Sequence, residues 1–574
     1  MAVSVPDLFP YPFDKKYARP VAYFSMEFAV DQPLKIYSGG LGFLAGSHMR
    51  SAFELKQNMV GIGILWKYGY YDQQRNRDGS LRVSYTEKSY SFLKDTGIRF
   101  TIAVHNHPVH VRVWLLPAEV FQTAPLFLLS TDVPENDHLA RTITHRLYDS
   151  HDSARIAQSI LLGAGGARLL DVLGRETEVY HLNEGHALPL CFYLLQKFQF
   201  NIEEVRRRVV FTTHTPEKAG NEERGLGSLE VMGFFQGAPR EQVLQLAAPS
   251  KDTLSYTVAA LRLARIANGV SQMHGIVSET LWGGFEGVCP LIAITNAQNQ
   301  RYWQDEVLRK ALTRGDDLKL AARKKKLKRE LFQIVADQTG KLFSEDVLTI
   351  VWARRFAGYK RANLLLTDLQ RFLKIIANPE MPVQVIWAGK PYPEDTGAIE
   401  IFNHIHYAIK DLPQAALLTG YEMALSAALK KGSDLWLNNP RITREASGTS
   451  GMTAAMNGSI NLSIADGWMP EFARDRKNCF IIPISSSEDQ AERDREEAEN
   501  LYALLEQVIV PTYYTKPKTW IKMMKQGMTD VAPMFDSNRM AREYYERMYH
   551  TGKPGSNGRG PQREAIKALA RKSW

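Results

Sequence analysis

Short runs of β-branched and aromatic residues alternate with longer amphipathic stretches along most of this chain. Val21–Phe28 (VAYFSMEF), Val109–Pro117, Arg208–Thr215, Leu348–Phe356, Pro382–Lys390 and Asp434–Asn439 are apolar runs of strand length that end in polar or charged residues. Ser153–Leu173 and Thr257–Val270 read as helices between them. Strands alternating with helices predict an α/β protein with parallel sheets. The alternation breaks over residues 297–345, which read as helical and charged, and resumes at Leu348. The expected division is therefore an α/β domain over 1–296, a helical connecting region over 297–345, a second α/β domain over 346–484 and a helical tail over 485–574. Two doubly wound domains facing each other would put ligands at the carboxyl ends of both sheets, in one interdomain cleft.

Composition narrows the class. A chain of 574 residues accommodates about two to four domains, and 44% hydrophobic with 23% charged residues is ordinary globular usage. No apolar run reaches the length of a membrane span, and the N-terminus lacks the apolar core of a signal peptide. Cys191, Cys289 and Cys479 are too scattered for a disulfide framework or a CxxC metal site. The expected location is cytoplasmic, with no membrane partner. The net charge of +9 and the run Ala322–Glu330 (ARKKKLKRE) raise the question of nucleic acid. Leu312, Leu318, Leu320, Leu327 and Leu331 punctuate that region, as on a solvated helix face, and neither a zinc finger nor an RNA-recognition signature accompanies it. A basic surface equally suits phosphorylated or other anionic ligands.

Candidate chemistry lies where strands end. Ser38–Gly46 (SGGLGFLAG) is a glycine-rich turn into a helical pattern, and such a turn offers backbone N–H groups to an anion or a sugar hydroxyl. Ala353–Arg361 (ARRFAGYKR) crowds Arg354, Arg355, Lys360 and Arg361 behind a strand, where cations commonly meet phosphate; a solvated turn accounts for Arg361. His181–His186 (HLNEGH) and Phe211–Glu222 (FTTHTPEKAGNE) place histidines after apolar strands. His105–His110 (HNHPVH) suggests a metal site, but Pro108 interrupts the register and no carboxylate is near, so none is expected. The chain contains no GxSxG elbow, Walker A loop, HExxH or GxGxxG. A sugar- or phosphate-handling cleft is the reading that remains.

In order, AYFSMEF, IYSGGLGFLAGSH, VGIGILWKYGYYDQ, HLNEGH, FTTHTPEKAG, VWARRFAGYKR, WAGK and LWLNNP…EASGTSGM resemble the α-glucan (glycogen/starch/maltodextrin) phosphorylase family, most closely its shorter bacterial branch, from Ala22 to Trp468. The resemblance implies GT-B architecture, with two Rossmann-like domains facing an interdomain cleft. It also implies cleavage of α-1,4-glucosidic bonds by phosphate with retention, the phosphate group of pyridoxal phosphate serving as acid–base partner. On this match Gly39, Gly40, Leu41 and Gly42 form the glycine loop over phosphate and sugar, and Arg355 and Lys360 hold phosphate groups. Tyr359 and Asn296 match sugar-contacting positions, His214 stands beside the glucose, and Glu445, Ser447, Gly448 and Thr449 read sugar hydroxyls. No pair of carboxylates suited to a retaining glycosidase emerges from these loops.

Two departures stand out. Thr453 occupies the position of the family's Schiff-base lysine, and a hydroxyl forms no aldimine; Ala297 replaces a glycine that follows the asparagine in the family. Three readings follow from Thr453. The chain is a retaining glucosyltransferase that takes a nucleotide-glucose donor without covalent pyridoxal phosphate, a phosphorylase with non-covalently bound coenzyme, or an inactive glucan-binding protein. Retention of both cations, His214 and Glu445 argues against the third, and of the two transferase readings the first is preferred. Expected partners are an α-glucan or related sugar acceptor and phosphate or a nucleotide-sugar, with no nucleic acid; a homo-oligomer is compatible with the sequence.

Overall fold

Two large sheets, built mainly of strands buried on every residue, lie each at the centre of its own unit. The structure, a computed structural model, describes residues 8–216, 221–247 and 252–550. The first unit takes the described residues up to Tyr71, Tyr85–Asn296 and those from Ser537 onward; the second takes Asp72–Ser84 and Ala297–Asp536. Among the described residues no helix is long and apolar enough to cross a membrane.

The first sheet has Val21–Phe24 near its middle. Met59–Ile64 and Leu126–Ser130 follow on one side, and Val179–Asn183, Val209–Thr212, Ile266–Gly269 and Leu291–Ala293 on the other, all parallel. The strand order reverses between Val21–Phe24 and Val179–Asn183, with Val21 opposite Val179 and Phe24 opposite Leu182. Buried on both faces, these strands show continuous apolar runs rather than alternation. Two antiparallel strands, His107–Leu116 and Lys94–Val104, extend one edge. The turn between them is His105–Asn106, both residues at positive φ (52° and 60°), so HNHPVH is the tip of a hairpin.

The chain returns to this unit after Asp536. The Tyr549 hydroxyl donates to His181 Nδ1 at 2.7 Å, His181 Nε2–H donates to Thr212 Oγ1 at 2.7 Å, and the Thr212 hydroxyl donates to Asn268 Oδ1 at 2.6 Å. His181 is thus a core residue, fully buried beneath the C-terminal segment.

The second sheet has six parallel strands in the order Ala415–Leu418, Val383–Ala388, Leu348–Ala353, Leu435–Asn438, Ile460–Ser463 and Cys479–Ile481. Taken in chain order this is 3-2-1-4-5-6, the doubly wound order. It reverses between Leu348–Ala353 and Leu435–Asn438.

Five expectations need correction. Thr257–Val270 is not one helix: Tyr256–Leu263 is helical, and Ile266–Gly269 is a buried strand, its short apolar run paired on both edges. The region 297–345 is no connector, because Leu327, Leu331 and Val335 of helix Asp317–Thr339 belong to the second unit's cores. Nor is its basic run a wholly solvated face. Lys328 is 2% exposed and donates to the Asp434 carboxylate and to Val347 O at 2.8 Å; Lys324 donates to Lys431 O at 2.8 Å and Asn457 O at 3.0 Å. The tail over 485–574 is divided as well: Leu501, Tyr502, Met524 and Met528 pack in the second unit's core, and the residues from Ser537 join the first. Arg361, finally, is buried and ion-paired with Glu497 (2.6 Å) and Asp494 (2.9 Å) rather than solvated.

Candidate functional site

Strand-order reversals in doubly wound sheets are where ligands bind, and the residues singled out above gather there in each unit. In the first, Val21–Phe24 runs into Glu27, which is 3% exposed. Its carboxylate accepts from Ser38 N at 2.6 Å, Gly39 N at 3.0 Å, the Ser38 hydroxyl and the Tyr148 hydroxyl at 2.8 Å. These amides precede helix Gly40–Glu54, so a carboxylate of the protein already occupies the anion position of the glycine loop. Gly39 and Gly40 border open space, whereas Gly42 is required by close approach. A Cβ there would lie 2.7 Å from Tyr37 Cβ and 2.8 Å from Glu27 Oε2. Leu41, between them, is half-buried.

The neighbouring strands supply Asn183, Glu184 and His214. Glu184 accepts from His214 N and from the Thr215 hydroxyl (3.2 Å), while His214 Nε2–H donates to Asn183 Oδ1 at 2.7 Å. One dipeptide therefore holds the histidine by both backbone and ring. Burial, aided by His274, pushes His214 down to about 3, so its ring is neutral and Nδ1 is the acceptor. Burial pushes Glu184 up to about 7 against the hydrogen bonds it accepts. Glu184 sits at φ 70°, ψ 169°, a region that disfavours side chains. Asn296 is 4% exposed and its Oδ1 has no hydrogen-bond donor among the described residues; Ala297 is fully buried.

In the second unit Leu348–Ala353 leads into Arg354 and Leu435–Asn438 leads towards Glu445. Lys360 Nζ donates to both Glu445 oxygens, at 2.9 and 3.2 Å, and Arg354 lies 3.7 Å from the same carboxylate. Burial would raise Glu445, but Lys360 and Arg354 outweigh it and hold the group below the usual carboxylate range. The Glu445 amide donates to Asp466 Oδ2 at 2.9 Å and the Gly467 amide to Asp466 Oδ1 at 2.8 Å, while burial raises Asp466 to about 7. Gly448, at φ 88°, turns the loop into helix Thr449–Met456, and no side chain caps that helix. Ser447 is 4% exposed and its hydroxyl has no partner among the described residues. Thr453 is fully buried in this helix, its hydroxyl donating to Ser450 O at 3.0 Å.

Of the residues matched from sequence, the structure gathers Gly39, Gly40, Leu41, Gly42 and His214 around the first reversal, and Lys360, Glu445, Ser447, Gly448 and Thr449 around the second. Tyr359 lies beside Lys360, whose Nζ is 5.2 Å from its ring. Arg355 is exposed, and the buried cation on Glu445 is Arg354. Glu27, Asn183, Glu184 and Asp466 were missed as site residues. SMEF and NEGH lay in quoted motifs, so a carboxylate directly after a buried strand was the available signal; Asp466 had none.

A family profile described as Phosphorylase (Carbohydrate phosphorylase) matches residues 316–509. The maltodextrin phosphorylase of Thermococcus litoralis is 34% identical, over 96% of this chain and 73% of the relative. The glycogen phosphorylase of Aquifex aeolicus is 31% identical, over 94% and 87%. An uncharacterised protein of Methanocaldococcus jannaschii is 45% identical, over 92% of this chain and 100% of its own length.

Proposed function

This chain belongs to the carbohydrate phosphorylase family, and from that premise we propose that it is a retaining α-glucosyltransferase that takes glucose from a nucleotide-glucose donor. It is an enzyme of the glucan-phosphorylase type, a hexosyltransferase. In the proposed reading the acceptor is an α-glucan or a related sugar and no pyridoxal phosphate is covalently attached.

Thr453 carries this reading. The position holds a fully buried hydroxyl engaged with its own helix, so the residue there does not fit an aldehyde-linked coenzyme. The phosphate-binding elements nevertheless persist. Two donors of the Lys360 ammonium are oriented by Glu445, which leaves the third for an anion. Arg354, the Ser447 hydroxyl and the uncapped amides at the start of helix Thr449–Met456 provide further donors. The diphosphate of a nucleotide-sugar needs that chemistry: cations and fixed N–H groups aimed at charge that accumulates as the glycosidic oxygen departs.

The first unit carries a contrasting set of groups. Its glycine loop has its own carboxylate, so it suits neutral sugar hydroxyls better than phosphate. The neutral His214 offers Nδ1 as an acceptor without adding charge beside the sugar.

The decisive experiment offers the purified protein a glucan with several nucleotide-glucoses, and separately with phosphate and pyridoxal phosphate. Glucan extension from a nucleotide-glucose is the expected result. Phosphorolysis that depends on added pyridoxal phosphate would replace the proposal by the non-covalent coenzyme reading. Thr453→Lys sharpens the outcome: with the coenzyme added, the variant should show neither aldimine absorption nor phosphorolysis.

A further inference from the structure

The net charge of +9 is not accounted for by the transfer site, nor by the basic run of helix Asp317–Thr339, whose Arg323, Lys325, Lys328 and Arg329 are all ion-paired. Within the second unit, an open groove of about 1000 Å³ lies between helix Glu306–Arg314 and helix Pro517–Phe535, at the upper end of the usual range for small-molecule pockets. Lys518, Lys522, Lys525 and Thr529 recur at helical spacing along one wall, and Arg309 and Thr313 stand on the other. Gln300, Gln304 and Gln526 add amides, and Leu312, Ile521 and Met528 add apolar surface.

The pairing of charges distinguishes this groove from an ordinary solvated helix face. Three basic residues of the second unit outside the groove are neutralised: Lys310 by Glu306 at 2.7 Å, Arg323 by Asp305 at 2.6 Å and Arg474 by Asp530. Inside it, Lys525 pairs with Asp317 at 2.6 Å and Arg309 lies 3.9 Å from Glu306. Lys518 and Lys522 make no ion pair among the described residues. Four cations thus share one lining carboxylate, Asp317.

We propose that this groove binds a small molecule bearing two or more linked phosphates. Several cations converging from two helices favour a compact, multiply charged anion over a single phosphate. Each Gln amide has two N–H donors, which suit its remaining oxygens, and the apolar patch suits a ring attached to it; the Thr313 and Thr529 hydroxyls already donate to Arg309 O and Lys525 O. The groove is also wired to the transfer loop. Gln300 Nε2 donates to Gln304 Oε1 at 2.7 Å, and Gln304 Nε2 donates to Met456 O, at the end of the helix that carries Thr453, at 2.8 Å. Met524 and Met528, on the groove's helix Pro517–Phe535, pack against Gly458 just beyond that helix. The groove's walls therefore touch the C-terminal end of the helix that carries Thr453.

The test is calorimetric titration of the full chain with inorganic tripolyphosphate and, separately, with orthophosphate. Tripolyphosphate should bind saturably and more tightly than orthophosphate, and should weaken as sodium chloride is raised. The double variant Lys518→Ala/Lys522→Ala should weaken it about tenfold through loss of two charge-assisted contacts. Asp317→Asn should tighten it by freeing Lys525, and Lys360→Ala should leave in place the binding that the double variant loses. Unaltered far-ultraviolet circular dichroism establishes that each variant is folded. The proposal is overturned if tripolyphosphate does not bind, if the double variant binds as well as the parent, or if Lys360→Ala abolishes binding. It is equally overturned if a single-stranded oligonucleotide binds through Lys518 and Lys522 while tripolyphosphate gives no signal, since the groove would then be a nucleic-acid surface.

Discussion

The two strand-order reversals use carboxylates in opposite ways. At the first, Glu27 and Glu184 accept from backbone amides and hydroxyls, with no cation bonded to either among the hydrogen bonds described above. At the second, Glu445 is bound by Lys360 and approached by Arg354. A buried carboxylate satisfied by dipoles fixes loop geometry and contributes no binding charge of its own to a phosphate. One satisfied by cations keeps those cations oriented for an anion. The same topology therefore yields one surface that the proposed function gives to a sugar and another that it gives to phosphate, and the difference resides in what each carboxylate is given as a partner.

The most severe way to break the contrast is to remove the cation. Lys360→Ala should lower glucosyl transfer by about 10²–10³-fold, the usual cost of losing one preorganised donor, as read from product formed at saturating acceptor. An equal loss from Arg355→Ala would return the principal role to the exposed arginine. A smaller effect comes from pH. Glu184 is raised to about 7 in the folded protein, so its contribution to stability is complete below the ordinary glutamate value and is lost as pH rises through about 7. Asp466 behaves alike. Glu184→Gln should remove its share of that decline, at most about 3 kcal/mol, measured by urea denaturation at pH 4.5 and pH 8. If the variant declines as steeply as the parent, Glu184 does not titrate in this window.

Gly42→Ala sharpens the first surface alone. The added methyl collides with Tyr37 and Glu27 and should cost about 1–3 kcal/mol of stability. Acceptor affinity should fall while nucleotide-glucose affinity is retained; a loss confined to the donor would contradict the assignment of the loop to sugar. Gly448→Ala is the mildest, about 1–2 kcal/mol for a side chain forced to φ 88°, visible as a lower melting temperature. Its transfer rate should fall through the donor's KM, since the turn positions Ser447 and Thr449.

The strands and the loops that end them were legible because a fully buried strand is a continuous apolar run followed abruptly by polar residues. Val21–Phe28, Leu348–Phe356 and Pro382–Lys390 all show that pattern. Ile266–Gly269 was read as helix because four residues of IANG leave no period to distinguish, and only pairing with Val209–Thr212 and Leu291–Ala293 decides it. Lys324 and Lys328 were read as solvated because nothing local announces Asp434 or the carbonyls they reach. The site shows the same limit. The glycine loop was visible as a motif, but Glu27, 11 or more positions earlier, changes what the loop can bind. Arg354 and Arg355 are adjacent in sequence, and only burial separates the inward cation from the exposed one.

The return of the chain to the first unit after Asp536 has a consequence for synthesis. The hydroxyl of Tyr549 that closes over His181 leaves the ribosome after every residue of the second unit described here. The first sheet can pair early, yet its buried histidine gains this partner only when the last segment docks. Such late, long-range closure separates collapse from completion. A nascent chain halted after the second sheet should therefore expose His48 and His181, aromatic groups that the finished protein covers with Tyr544 and Tyr549, and should depend on chaperones until residues 537–549 arrive.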